Sequence, residues 1–145
     1  MSVSASFGVL NTKLLPDFVR EPARVLAEHG RELAPGFGWS GFVVLVVLDV
    51  LEDQGVSLSG NGHEEPIGGP DDDTFYTVVT TEHRRFLPRL DPSAFPGHLF
   101  HAAFVEAGLR TDEGDSAAAA RDTVAILRDG IATLADDEAL IVVVG

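Results

Sequence analysis

The stretch of residues 39–55 constrains the fold more than any other part of the sequence. It contains seven consecutive apolar residues, 42–48. Ser40 stands where a helix N-cap is expected, and Gly55 stands where a helix commonly ends in a left-handed glycine. We therefore predict a mostly buried helix over residues 41–54. Its valines favour a strand as the alternative, and its apolar run is far shorter than the about 20 residues of a membrane span.

Weaker patterns along the rest of the chain predict both strands and helices. Alternating or continuous apolar runs predict strands at residues 2–7, 74–80 and 139–144. Apolar residues at helical spacing predict helices at 22–33, 98–108 and 116–135, with a short helical turn at 82–87. Because strands and helices do not alternate regularly, we predict the α+β class. The expected architecture is a single compact domain, 1–145, with about four helices on a three- or four-stranded sheet.

The charge of the chain restricts its partners. Asp and Glu outnumber Lys and Arg by 23 to 10, which gives a formal net charge of −13. This field repels nucleic-acid phosphates and anionic membranes, so we expect neither as a partner. A basic protein, a cation or simple solvation are the remaining interpretations, and adaptation of the host to salt would also explain the acidity. The absence of cysteine and of a signal-peptide pattern leads us to expect a cytoplasmic protein.

Clustered carboxylates provide the candidate contact residues. A long polar loop at about 59–73 is rich in turn residues and carboxylates, and loops of this length are often functional. Its aspartates lack the spacing of a calcium-binding loop. We predict that the loop carboxylates, together with those on the preceding helix, form a surface for a basic protein. The predicted partner-binding residues are Asp49, Glu52, Asp53, Glu64, Glu65, Asp71, Asp72 and Asp73.

Two histidines form a candidate metal site. His98 and His101 are three residues apart on a predicted helix, so their imidazoles project from neighbouring positions and could converge on one cation. A third ligand would have to come from elsewhere, with the loop residues His63, Glu64 and Glu65 or the three aspartates as candidates. The alternative is that one of the pair only packs within the core.

A charged turn at residues 81–85 is the other candidate for chemistry. There Glu82 could orient His83, and two arginines could receive a carboxylate or phosphate. The competing interpretation is a surface turn whose charges pair with the acidic bulk. Neither a nucleophile elbow nor a phosphate-binding glycine loop is present in the sequence, so no cofactor is predicted.

These features favour a small acidic protein-binding module that masks a basic surface. Bacterial immunity proteins, antitoxins and small inhibitors are similar to this chain in size and charge only. Trp39, Phe75 and Tyr76 are candidate aromatic anchors of such an interface, although the favoured interpretation of each is a place in the core. The alternatives are a small metal-dependent or acid–base enzyme and a structural subunit that self-associates through its sheet edges.

Overall fold

Antiparallel strands form the centre of the protein. The computed structural model describes residues 3–58, 67–69 and 73–145. Within these ranges the chain forms four strands, β1 (Ala5–Asn11), β2 (Arg31–Leu33), β3 (Phe75–Val79) and β4 (Glu138–Val144). They make one antiparallel sheet in the order β2-β1-β4-β3. The first strand is predicted at residues 2–7 but forms at Ala5–Asn11. Its pairing with β4 begins at Ala5 and continues to Asn11.

The apolar run of β4 is covered on both faces of the sheet, as an unbroken hydrophobic strand predicts. Leu140 and Val142 contribute to a large core on one face, whereas Ala139 and Ile141 belong to a smaller core on the other. All four side chains are fully buried. Successive residues of a strand point to opposite faces, so β4 serves both cores.

Helices supply the two outer layers. The described residues contain five α-helices, whereas the sequence predicted about four. They are α1 (Leu15–Arg20), α2 (Pro22–His29), α3 (Gly41–Asp53), α4 (Gly97–Glu106) and α5 (Glu113–Ala132). Short 3-10 segments occupy Thr12–Leu14, Thr81–Arg89 and Pro92–Ala94. Helices α3, α4 and α5 pack on the larger core and α1 and α2 on the smaller one. The molecule is thus a compact α+β domain with helices on both faces of its sheet.

The helix predicted over residues 22–33 ends earlier than its apolar spacing indicates. Gly30 adopts an extended backbone conformation, and its amide donates the last hydrogen bond of α2 to the Leu26 carbonyl. The chain then pairs as β2 with Phe7–Val9 of β1. Tertiary pairing therefore overrides the local pattern, because three residues gain a strand partner that the sequence does not reveal.

The predicted helix over residues 41–54 is confirmed as α3, and the strand alternative is wrong. Ser40 Oγ accepts a hydrogen bond from the Phe42 amide at 3.2 Å, so it is the N-cap. At the other end Gly55 has a φ of +86°, and the Val56 amide reaches back to the Leu51 carbonyl at 2.8 Å. This pair of features is the Schellman ending that glycine favours. None of the helices in the described ranges is long and apolar enough to cross a membrane.

Candidate functional site: the outer face of helix α3

Helix α3 presents an amphipathic stripe to solvent. With 100° between successive residues, positions spaced by three, four and seven share a stripe about 120° wide. The members of this stripe, which we call the outer face of α3, are Phe42, Leu45, Val46, Asp49, Glu52 and Asp53. The opposite side of the helix is buried in the larger core. The outer face is apolar in its first half and acidic in its second.

Phe42 is the most unusual member of the outer face. Its side chain is 45% exposed, whereas most large apolar side chains of α3 are buried. Leu45 and Val46, one turn further on, are half-buried. An open groove of about 390 Å³ borders the same end of the helix and is lined in part by Phe37 and Trp39. A cluster of apolar groups at the surface is the usual centre of a protein–protein contact.

The carboxylates of the outer face lie at the end of the helix where its dipole disfavours negative charge. Asp49, Glu52 and Asp53 are all exposed and lie towards the C-terminal end, where the helix dipole is negative and acidic side chains are unfavourable. The last turn contains no basic residue. The guanidinium of Arg89 donates to the Gln54 carbonyl just beyond the helix. The stability of α3 therefore does not account for these three carboxylates.

Elsewhere in the described structure, arginines pair with carboxylates. On α2, for example, the hydrogen bond from Arg24 lowers the pKa of Glu21 below its usual value. Asp49 and Asp53 have no such ion pair with any described residue. The arginines that form ion pairs are Arg20, Arg24, Arg31, Arg84 and Arg128. Asp49 and Asp53 are thus available to an external cation or cationic side chain.

Residues 67–69 of the acidic loop lie across the sheet from α3. Ile67 is buried in the smaller core, and the Gly68 amide donates to the Val19 carbonyl of α1 at 2.8 Å. Asp73 is exposed two residues before β3. The other loop carboxylates that were predicted to bind a partner, Glu64, Glu65, Asp71 and Asp72, fall outside the described residues. Among the predicted partner-binding residues that the structure describes, the three carboxylates of α3 are brought together.

The two histidines of the candidate metal site have different surroundings. His98 is exposed at the start of α4. His101 is half-buried, and its Nδ1 lies 2.8 Å from the hydroxyl of Ser116 on α5. Ser116 is fully buried and also donates to the Asp112 carbonyl at 2.9 Å. Among the described residues, no three His, Asp or Glu side chains converge on a point where a metal ion could bind.

The charged turn is held together by its own contacts. His83 Nδ1 accepts a hydrogen bond from the Thr80 amide at 3.0 Å, which ties the ring to the start of the turn. Arg84 pairs with Asp136 at 3.3 Å, and the Arg85 guanidinium lies over the Phe86 ring. These contacts fit the surface-turn interpretation.

The three aromatic residues proposed as anchors have different surroundings. A fourth aromatic residue at the surface, Phe42, is not indicated by the sequence. Trp39 is half-buried beside the start of α3, and its indole N–H donates to a carboxylate oxygen of Asp122 at 2.8 Å. Phe75 packs against the larger core and Tyr76 against the ring of Phe18. Phe42 was not recognised as an anchor, because an apolar residue inside an apolar run predicts burial.

No protein-family model, curated protein or solved structure matches this chain.

Proposed function

We propose that this protein is a binding module that attaches to a basic protein through the outer face of α3. The observation that supports the proposal is the alignment of an exposed Phe42 with three carboxylates on one helical stripe. A matching partner surface has an apolar depression for the Phe42 ring and lysine or arginine side chains about 10–16 Å away. That distance follows from the rise of 1.5 Å per residue between Phe42 and Asp49 or Asp53.

The apolar half of the outer face supplies affinity. A phenylalanine side chain has about 200 Å² of surface, so covering the exposed 45% of Phe42 removes about 90 Å² from water. At about 25 cal/mol per Å², this contributes about 2 kcal/mol. Contributions of this size are typical of the few anchor residues that dominate a protein interface.

The acidic half supplies specificity and speed of encounter. Carboxylates clustered on one surface attract a cationic partner and raise the association rate, an effect that salt screens. A second copy of this chain, with its own net charge of −13, would meet repulsion on the same surface. The electrostatics therefore favour a basic partner over self-association.

Site-specific photo-crosslinking tests the proposal. A benzophenone amino acid replaces Phe42 in one sample and Val105, which is 57% exposed on α4, in the control. Both samples are irradiated in lysate of the source organism at about 50 mM and about 500 mM salt, where the Debye length falls severalfold. We expect position 42 to capture a protein with a basic surface, and to capture less of it at the higher salt. Equal capture from both positions, or a crosslink to a second copy of this chain, would overturn the proposal.

Charge variants make the crosslinking test specific. The double variant Asp49→Asn/Asp53→Asn should lower association with the captured partner about 5- to 10-fold at low salt and have little effect at high salt. The matched control Glu32→Gln/Glu82→Gln removes the same charge from two exposed residues outside α3. If both double variants weaken association equally, net charge rather than the outer face of α3 is responsible, and the proposed site is wrong.

A further inference from the structure

A small cavity lies on the inner side of α3, away from its outer face. It has a volume of about 210 Å³ and is located where the start of α3 meets the end of α4 and the start of α5. One wall is apolar and includes Trp39, Val43, Phe104 and Leu109. Val43 is on the buried side of α3, whereas Phe42 faces solvent, so the cavity and the outer face lie on different sides of the helix, with Trp39 between them.

The other wall is polar and is provided by the turn between α4 and α5 and by the first turn of α5. Its side chains are Arg110 and Thr111 from the turn and Asp115 from α5. The turn is fixed at both ends, because the Leu109 amide donates to the Phe104 carbonyl at 2.9 Å and the Asp115 amide to the Asp112 carboxylate at 2.7 Å. A polar wall on a fixed turn is organised before a ligand arrives, which lowers the entropy cost of binding.

A buried hydrogen-bond network supports the polar wall from behind. The Ser116 hydroxyl lies 3.4 Å from Thr111 Oγ1, and the same hydroxyl is 2.8 Å from His101 Nδ1. Ser116 has no exposed surface. His101, one of the two predicted metal ligands, therefore contacts Ser116 on the side of the polar wall away from the cavity.

Arg110 supplies the charge that selects the ligand. It is exposed and makes no hydrogen bond or ion pair within the described structure, although Asp112, Glu113 and Asp115 are near it in sequence. A guanidinium presents paired N–H donors that match a carboxylate. The cation borders an apolar cavity, so a ligand with a carboxylate at one end and an apolar body at the other complements both walls.

We infer that this cavity binds a small carboxylate with a branched or aromatic apolar body. The carboxylate pairs with Arg110 and the body lies against Trp39 and Phe104. Pockets for drug-sized ligands have volumes of about 300–1,000 Å³, so a cavity of 210 Å³ selects a smaller molecule. Such a molecule is either an apolar α-amino acid, whose ammonium would face Asp115, or a carboxylate without the amino group. This inference stands independently of the proposed docking function.

The single tryptophan gives a direct readout. Trp39 lines the cavity and is the only tryptophan in the sequence, so any change in tryptophan fluorescence comes from the surroundings of this one side chain. The probes are L-phenylalanine, L-leucine, 3-phenylpropanoate and 4-methylpentanoate, with 3-phenylpropanamide as the uncharged control. We expect at least one carboxylate to give a saturable fluorescence change and to raise the melting temperature, and the amide to do neither. No saturable change with any carboxylate, or an equal response to the amide, would overturn the inference.

A matched pair of variants assigns the binding to Arg110. Arg110→Gln should lower the affinity of the bound carboxylate by at least 10-fold. Arg121→Gln removes the same charge from an exposed position on α5 and should leave that affinity unchanged. Both side chains are exposed, so both variants should fold. Asp115→Asn distinguishes the two ligand types, because it should lower the affinity of an α-amino acid and leave the affinity of a carboxylate without an amino group unchanged. Equal effects of Arg110→Gln and Arg121→Gln would refute the assigned site.

Discussion

Replacing Gly41 by alanine tests how tightly the start of α3 is seated on the sheet. Gly41 is buried, and its amide donates to the Val3 carbonyl at 2.8 Å. A Cβ at this position would lie 2.8 Å from the Ser4 carbonyl oxygen and 2.8 Å from methyl groups of Val3 and Val144. Because one of these neighbours is backbone, no single side-chain rotation relieves the contact. The helix or the start of β1 must therefore move.

The expected loss of stability is about 1–2 kcal/mol. Overpacking of this kind costs about 1–3 kcal/mol. Alanine regains part of it, since it is up to about 1 kcal/mol better than glycine inside a helix and gains less at the first turn. For a chain of 145 residues, the net loss should lower the melting temperature by about 3–6 °C.

Urea denaturation of the Gly41→Ala variant measures this loss directly. Gly36→Ala is the matched control, because no atom lies within 4 Å of its added Cβ and its φ is not positive. We expect the control to stay within about 0.5 kcal/mol of the parent protein. The reasoning is refuted if Gly41→Ala also stays within that range at an unchanged m-value, or if the two variants lose stability equally.

Three further predictions concern stability. Phe42→Ala should cost about 1–2 kcal/mol because only about half of the ring is buried, whereas Leu48→Ala, at 1% exposed, should cost about 2–5 kcal/mol in the same denaturation assay. Ser116→Ala should cost about 1–3 kcal/mol, because it removes the partner of a half-buried imidazole nitrogen; a loss below about 0.5 kcal/mol would contradict the network. Hydrogen bonds from the backbone amide of Ser93, the larger cause, and from the Ser93 hydroxyl hold the pKa of Asp91 below its usual 3.8. The stabilisation from Asp91 is therefore present above pH 3.8 and is lost as the pH falls through the lower folded-state value, so the difference in unfolding free energy between the parent and Asp91→Ala should shrink over that window.

The sequence predicted the elements whose signals are local. The end of α3 at Gly55 and the apolar run of β4 each follow from a pattern within a few residues. The strand β2 has no such pattern, because its three residues are mostly exposed and are held only by pairing with β1. The short helix α1 was missed for a related reason, since its buried surface is essentially one side chain, Phe18.

The candidate site was predictable only in its charged half. Asp49 and Asp53 indicate an exposed helical face, because unpaired carboxylates are rarely buried. Phe42 carries no equivalent signal, since its exposure depends on where neighbouring elements end. The separation of α3 from Ile67 by the sheet depends on the strand order, which no local pattern encodes.

The pairing of β1 with β4 has a consequence for biosynthesis. Ala5 lies opposite Val144 and Asn11 opposite Glu138, so the two central strands are joined across more than a hundred residues of chain. At about 5–20 residues per second, a ribosome needs about 6–25 s to reach the second strand after finishing the first. During that time the apolar residues of α3 have no completed sheet to cover them. The domain therefore cannot assemble progressively as it emerges, and nascent chains should depend on holdase chaperones until β4 is free of the ribosome.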